Sequence, residues 1–326
     1  MTYDVVTFGE TMLQLLSPGD LRIEQTTSFD IHAAGSESNT AVALARLGAT
    51  VNWFSRLPSS SMGKLIANRI RAEGVHTPDV IWAEQERLGL CFVEKGIYPR
   101  PTEVIYDRKQ SAMSAIQPDD LPELLFHRNQ ARLLHTTGIT VALSDSAAKT
   151  VAKAFDLAKA AGWLVSFDVN YRSKLWSSAD ASQKCAPFLE QANIIFIPLR
   201  DAQGLFEYSS AMTIDDILND LHRQYPDAII VMSQGESGSM CCSPSGEVFS
   251  QPAFAVDGAY RIGAGDAFSA GFLYCYLCHT ANLKTALRWG NASAAIKFSI
   301  PGDLPLIDKQ HIETLVSDTS KSDLLR

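Results

Sequence analysis

The residues with the clearest chemical meaning in this chain form a run of three small residues and a carboxylate: Gly263, Ala264, Gly265 and Asp266. A helical apolar pattern follows at once, so we expect the run at a helix start. Glycines there let backbone N–H groups turn toward an anion, and the helix dipole favours negative charge. Asp266 beside such an anion hole could take the proton of an attacking hydroxyl. The run therefore predicts phosphoryl transfer to an alcohol, with a simple turn and helix cap as the alternative.

Further polar residues follow predicted strands, where ligands of open α/β sheets bind. Arg172 comes shortly after a strand that ends at Phe167, and its guanidinium could hold a carboxylate with two hydrogen bonds. A structural ion pair with Asp168 or another acid is the alternative. The turn at 233–238 could let backbone approach a nucleotide, or it could be a plain hairpin turn. The segment at 34–39 could face sugar hydroxyls, or Ser38 could simply cap a helix.

The apolar periodicity of the chain predicts the fold that positions these residues. Short β-branched runs alternate with amphipathic helical runs, which is typical of a mostly parallel sheet covered on both faces. The predicted strands are 5–8, 51–54, 132–135, 164–167, 194–197 and 229–232, and the predicted helices are 39–47, 64–73, 146–161, 214–223, 264–278 and 283–298.

Two segments, approximately 13–34 and 88–107, depart from this alternation because they carry strand-like patterns with no helix between them. We expect them to form a small β-sheet that can close over a substrate as a lid, the alternative being a solvated hairpin without function.

Composition limits the classes of protein. The 46% hydrophobic content suits one large α/β domain over residues 1–326. The net charge of −8 argues against a nucleic-acid surface and against anionic membranes, so an anionic substrate would need local arginines. The start has no signal-peptide pattern and no apolar run is long enough to span a bilayer. The six scattered cysteines suit a reducing compartment, so we expect a cytoplasmic protein.

Taken in order, the residues from Gly35 to Asn39 and from Gly263 to Asp266 resemble the two signature regions of the ribokinase-like (phosphofructokinase-B) carbohydrate kinases. The runs at 106–109, 137–144 and 168–177 look like 2-keto-3-deoxygluconate kinases within that family. The resemblance implies a three-layer α/β/α sandwich with a mostly parallel sheet and a small β-sheet lid. It also implies phosphorylation of the terminal hydroxyl of 2-keto-3-deoxygluconate with ATP and Mg²⁺, and a homodimer or larger homo-oligomer paired through the lid sheets.

The same resemblance assigns roles to individual residues. Asp266 would be the base, and Gly263, Ala264 and Gly265 would cradle the transferred phosphoryl group. The acid sugar would be bound by Gly35, Asn39, Tyr106, Arg108, Arg172 and Asp303. The nucleotide would lie against Ser233, Gly235, Glu236, Gly238 and Asn291, and Asp201 would serve the metal ion through water.

Residues in three segments of the chain depart from the family pattern. Tyr260 and Arg261 stand where relatives commonly have Asp-Thr or Asp-Pro near a monovalent-cation site, which leaves potassium dependence open. Our hypothesis is that the Arg261 guanidinium supplies the missing positive charge. Pro198 stands where relatives tend to have an Asn that helps organise magnesium, and Cys91 stands where close relatives often have a Tyr of the presumed substrate site.

Other functions stay open from the sequence alone. A kinase of another sugar or sugar acid is the nearest alternative, followed by a non-catalytic sugar-binding descendant of the same fold. A nicotinamide-dependent oxidoreductase is disfavoured, because Gly9 after the first strand is not part of the Gly-x-Gly-x-x-Gly turn of dinucleotide folds.

Overall fold

The computed structural model describes residues 2–209, 211–257 and 260–317. The strands are β1 (Tyr3–Phe8), β2 (Met12–Leu16), β3 (Asp30–Ala34), β4 (Val51–Phe54), β5 (Arg56–Pro58), β6 (Ile81–Ala83), β7 (Leu90–Glu94), β8 (Glu103–Asp107), β9 (Ala131–Thr137), β10 (Leu164–Asp168), β11 (Ile194–Phe196), β12 (Ile229–Ser233), β13 (Ser239–Cys242) and β14 (Val248–Gln251). The α-helices are α1 (Ser36–Leu47), α2 (Ser61–Ala72), α3 (Gly138–Leu143), α4 (Asp145–Ala160), α5 (Ser178–Leu189), α6 (Leu199–Leu205), α7 (Ile214–Gln224), α8 (Ala264–Tyr274), α9 (Leu283–Lys297) and α10 (Lys309–Val316).

The large sheet has the order β14-β13-β12-β11-β10-β9-β1-β4. Its pairs are parallel from β12 to β4, whereas β13 and β14 are antiparallel. The strands from β13 to β4 in this order contribute side chains to a hydrophobic cluster on each face of the sheet, as β1 does with Val6 on one face and Val5 on the other. Helices α4, α5 and α7 pack on one face, and α1, α2, α8 and α9 on the other. The predicted sandwich with helices on both sides of a mostly parallel sheet is confirmed.

The two segments without helical pattern form a separate four-stranded sheet of order β3-β2-β7-β8, called the small sheet below. Its two faces differ because side chains alternate along each strand. One row across the sheet contains Gln14, Cys91 and Tyr106, all of which line a cleft. The neighbouring row points the other way and is apolar, comprising Ile31, Leu15, Phe92 and Ile105.

Several details differ from the sequence-based expectations. The helix predicted at 264–278 ends as an α-helix at Tyr274 and continues as a π-helix over Cys275–His279, where the Thr280 N–H donates to the Cys275 carbonyl. Helices α3, α5, α6 and α10 are absent from the predicted set, since they are short or, in α5, contain Pro187. Gly35, and not Ser38, is the N-cap of α1. In the described parts of the chain, no helix has both the length and the apolar character needed to cross a membrane.

Candidate active site

A cleft of about 770 Å³ lies between the carboxyl ends of the large sheet and the polar row of the small sheet. That volume suits a small-molecule site. All but four of the predicted site residues line it, the exceptions being Ala264, Glu236, Gly238 and Asn291. Residues far apart in sequence therefore meet at one place.

Asp266 lies in the first turn of α8 and is buried, with 7% of its surface exposed. One carboxylate oxygen accepts the Ser36 hydroxyl proton at 2.6 Å, and the other accepts from the Asn39 side-chain amide at 2.7 Å. The Asn170 amide is 3.5 Å from the first oxygen. Burial raises the pKa of Asp266, and the two hydrogen bonds and the Arg172 charge oppose that rise. These donors favour the ionised form, which is the form a general base requires.

Two more carboxyl groups share this cleft. Burial, with the nearby Asp266 charge, raises the pKa of Asp303 to about 7 and that of Asp168 to about 8. Like charges so close together cannot all be ionised at little cost. Burial and mutual repulsion therefore favour the protonated forms of these carboxyl groups, and positive groups nearby determine how far each is ionised.

Arg172 is the cation that the cleft leaves available. Its half-buried guanidinium forms no hydrogen bond or ion pair with any residue the structure describes, so the alternative of an ion pair with Asp168 is wrong. Arg108 differs, because its buried guanidinium is paired with Glu10, to which its Nε donates at 2.7 Å, and stacks near the Tyr106 ring. Arg172 can thus grip an anion directly, whereas Arg108 is held as part of the cleft wall.

The glycine turn has the predicted geometry for an anion site. Gly263 caps α8 with φ of 79°, a left-handed conformation that favours glycine. The N–H groups of Gly265 and Asp266 have no partner in the first helical turn, and among the described residues none accepts from them. Gly265 lines the cleft, so these amides and the helix dipole are available to a phosphate group.

The residues predicted for the nucleotide divide into two groups. Ser233 and Gly235 line the cleft at the end of β12, in a turn that also links the antiparallel strands β12 and β13. The turn is therefore a hairpin that also forms part of the cleft wall, and its approach to a nucleotide stays a prediction. Glu236 is exposed and pairs with Arg261 at 3.3 Å, which partly neutralises the charge that Arg261 was expected to supply. Away from the cleft lining, Gly238 has φ of 102° and packs its backbone against the β14 end.

Asn291 is buried on α9, and its side-chain amide donates to the carbonyls of Gln251 and Pro252 at 3.2 and 3.0 Å. It joins α9 to the end of β14 and lies outside the cleft lining. The expected contact of Asn291 with the nucleotide stays a prediction.

A sequence model of the pfkB family carbohydrate kinases matches residues 2–308. The chain belongs to this family. It is 36% identical over 316 residues to a 2-dehydro-3-deoxygalactonokinase of Haloferax volcanii, covering 97% of both chains. It is 30% identical to a 5-dehydro-2-deoxygluconokinase of Shouchella clausii, covering 95% of this chain and 97% of that one. The structure of a 2-dehydro-3-deoxygluconokinase from Thermotoga maritima superposes with a TM-score of 0.91 at 29% identity, over 97% of this chain and 99% of that one.

Kinases of the pfkB family use ATP, and the unpartnered amides at the start of α8 suit its phosphates. The expected role of Asp201 is less well supported by the geometry. One oxygen of this buried carboxylate accepts twice from Arg200, and the other accepts from the Tyr171 N–H at 3.1 Å. Within the described ranges no three carboxylate, histidine or cysteine side chains converge as a metal site. Magnesium would then be held by phosphate oxygens and water, which its chemistry permits.

Sequence reasoning missed three residues that shape this pfkB site. Ser36 and Asn170 both contact Asp266 or each other, since the Asn170 amide also donates to the Ser36 hydroxyl at 2.7 Å. Glu37 is fully buried and accepts from the Thr137 and Thr140 hydroxyls at 2.8 and 2.7 Å, fixing the start of α1 against β9 and α3. Their positions beside predicted residues were the available signal.

Replacing Gly263 with alanine should lower both stability and turnover. The new Cβ would overlap the carbonyl oxygen of Asp303, and the left-handed backbone costs a non-glycine residue about 1–2 kcal/mol. We expect a lower thermal unfolding midpoint and a fall in kcat, because the anion-binding turn must move. Gly204→Ala in α6 is the matched control, since a Cβ there meets nothing within 4 Å and the backbone is helical. Equal unfolding midpoints and equal kcat in the two variants would contradict this account of the turn.

Proposed function

We propose that this pfkB kinase transfers the terminal phosphoryl group of ATP to the terminal hydroxyl of 2-keto-3-deoxygluconate. Its galactonate epimer is the second candidate, because the relative at 36% identity is named for it. The observation that carries the proposal is the unpaired Arg172 guanidinium in the same cleft as Asp266. The protein is acidic overall, and the cleft contains several carboxyl groups. An arginine without an ion-pair partner in that cleft is therefore suited to bind the carboxylate of a ligand.

In this mechanism Asp266 accepts the proton of the sugar hydroxyl as that oxygen attacks the phosphorus. Ser36 and Asn39 hold the carboxylate in place through their hydrogen bonds. The amides of Gly265 and Asp266 donate to the oxygens of the transferred group, and their dipoles stabilise its charge. ATP with Mg²⁺ supplies the activated phosphoryl group. Arg172 and Tyr106 line the same cleft and orient the sugar acid there, under the small sheet acting as a lid.

A substrate panel tests this proposal in one assay. ATP turnover would be followed with 2-keto-3-deoxygluconate, 2-keto-3-deoxygalactonate, 5-dehydro-2-deoxygluconate, fructose and ribose. We expect kcat/KM for the preferred acid to exceed that for either neutral sugar by about 100-fold or more, since a charge-assisted pair is lost with a neutral ligand. Equal or faster turnover of fructose or ribose would reject the sugar-acid proposal. Absence of turnover with every member would favour the non-catalytic alternative.

The apolar row of the small sheet supports the expected homodimer. Ile31 and Ile105 remain 41% and 46% exposed, and the row they share with Leu15 and Phe92 faces away from the cleft. Pairing of two such sheets would bury this row. Sedimentation of the intact protein at micromolar concentration should give at least twice the 35.6 kDa chain mass, and a monomeric mass would contradict the proposal.

A further inference from the structure

Lys297, the last residue of α9, is the one lysine that is buried among the residues the structure describes, with 0% of its surface exposed. Its Nζ donates to the carbonyl oxygens of Ile300 and Gly302 at 2.9 and 3.0 Å. A buried ammonium is costly unless charges or strong acceptors surround it. Its presence therefore calls for an explanation beyond packing.

The two carbonyls belong to the loop that delivers Asp303 to the cleft. Gly302, at φ of 76°, turns the chain just before Asp303, and the Asp303 carbonyl packs against the Gly263 backbone of the anion-binding turn. The Tyr260 N–H donates to the Phe298 carbonyl at 3.1 Å, which adds a second link between the same two segments. The Lys297 ammonium thus fastens residues 300–303 beneath the start of α8.

Lys297 also acts on the carboxylates by charge. Burial lowers the pKa of Lys297, and the Asp303 and Asp266 charges oppose that fall, so the ammonium and the two carboxylates stabilise one another. Other titratable or charged groups lie around the cluster. They are Glu37 on α1, Asp168 at the end of β10, Arg172 after β10, Asp201 on α6, and His32, Cys91 and Tyr106 on the small sheet. Arg172 lines the cleft, and a bound sugar acid would neutralise it.

We propose that Lys297 is a positioning residue whose ammonium is the internal cation of the active site, holding residues 300–303 against the anion-binding turn and placing a positive charge near Asp266 and Asp303. Backbone carbonyls converging on one positive charge are also how proteins hold potassium. The Lys297 ammonium occupies the position that such a potassium ion would take, so turnover needs no added monovalent cation. The inference depends on the proposed function only through the choice of substrate in the turnover assay.

Lys297→Met tests the charge while keeping the length of the side chain. Loss of the positive charge raises the pKa of Asp266 and Asp303, so the acidic limb of the kcat profile should move to higher pH by about one unit. At neutral pH we expect kcat to fall by about tenfold or more, with the KM for ATP changed much less. An unshifted limb would overturn the proposal, because a merely structural lysine would alter activity without moving it.

Lys297→Ala tests whether the place is a cation site. The variant leaves two carbonyls around an empty space, so KCl or NH₄Cl should restore part of its kcat and raise its unfolding midpoint, while LiCl at equal ionic strength should not. Arg46→Gln is the matched control, because Arg46 donates to the Ile307 carbonyl at 2.8 Å farther along the same segment. Equal responses of both variants to KCl would contradict a specific site.

If neither variant folds, the wild-type protein tests whether an internal cation makes added potassium unnecessary. Its turnover in tetramethylammonium buffer should equal its turnover with KCl added, and strong activation by potassium would overturn the proposal. The unfolding midpoint needs no substrate. A potassium response confined to Lys297→Ala would therefore support the inference even if every sugar in the panel failed.

Discussion

Replacing Asp266 with asparagine is expected to lower kcat by about two to four orders of magnitude, the usual contribution of a general base. The amide keeps the shape of the side chain and can still accept from Asn39, but it cannot take a proton from the sugar hydroxyl. The KM for ATP should change little, since the amides of the α8 start are untouched. Steady-state kinetics with the preferred sugar acid, together with direct titration of ATP binding, would measure both quantities.

The thermal unfolding midpoint distinguishes a loss of kcat in Asp266→Asn from a loss of folded protein. Because burial raises the pKa of Asp266, the ionised carboxylate is held in the folded protein at a cost, so the neutral variant should unfold at the same temperature as the wild type or higher. Asp168→Asn is the matched control, a second buried carboxyl in the same cleft. Its pKa of about 8 means that it is largely protonated at neutral pH, and asparagine mimics that form. Its kcat should fall by less than about tenfold.

An Asp266→Asn variant with near-normal turnover would remove this residue from the mechanism. So would equal losses in the Asp266 and Asp168 variants, which would indicate a general effect of changing buried carboxyl groups. A large loss in Asp266→Asn with unchanged ATP binding and unchanged unfolding would leave proton transfer as the function of this carboxylate.

Local patterns were sufficient for much of the fold and for the centre of the site. The alternation of strand and helix predicts the layered sheet because each strand is buried on both faces and each helix on one. Gly263 and Asp266 could be identified because a left-handed cap and a first-turn acid have a local sequence signature. Short helices such as α6 have no comparable periodicity, and tertiary packing determines them.

Long-range pairs were beyond local patterns. Arg108 and Glu10 are 98 positions apart, and nothing in either neighbourhood shows that the arginine assigned to the sugar acid is paired inside the protein. In the sequence, Lys297 is a basic residue at a helix end, and a favourable interaction with the helix dipole is a sufficient reason for a basic residue there. Only the fold shows that its ammonium is buried and directed at two carbonyls, and that Arg172 remains free.

The difference between the two arginines gives the prediction on substrate. Arg172→Gln should raise the KM for the sugar acid by about 10- to 100-fold, since hydrogen bonds to a charged partner contribute about 1.5–3 kcal/mol each. Preference for the acid over fructose should fall with it. The unfolding midpoint should stay close to that of the wild type, because Arg172 has no partner among the described residues. Steady-state kinetics and thermal unfolding check the two halves.

Arg108→Gln should show the opposite pattern and is the comparison that makes the result specific. It leaves Glu10 buried without its partner, and breaking such a pair costs about 3–5 kcal/mol of stability. Arg172→Lys separates charge from geometry, because lysine keeps the positive charge near Asp266 but cannot bind a carboxylate through two parallel hydrogen bonds. Its KM should lie between those of Arg172→Gln and the wild type. An unchanged KM in Arg172→Gln would mean that the carboxylate binds elsewhere, and the sugar-acid assignment would lose the observation on which it depends.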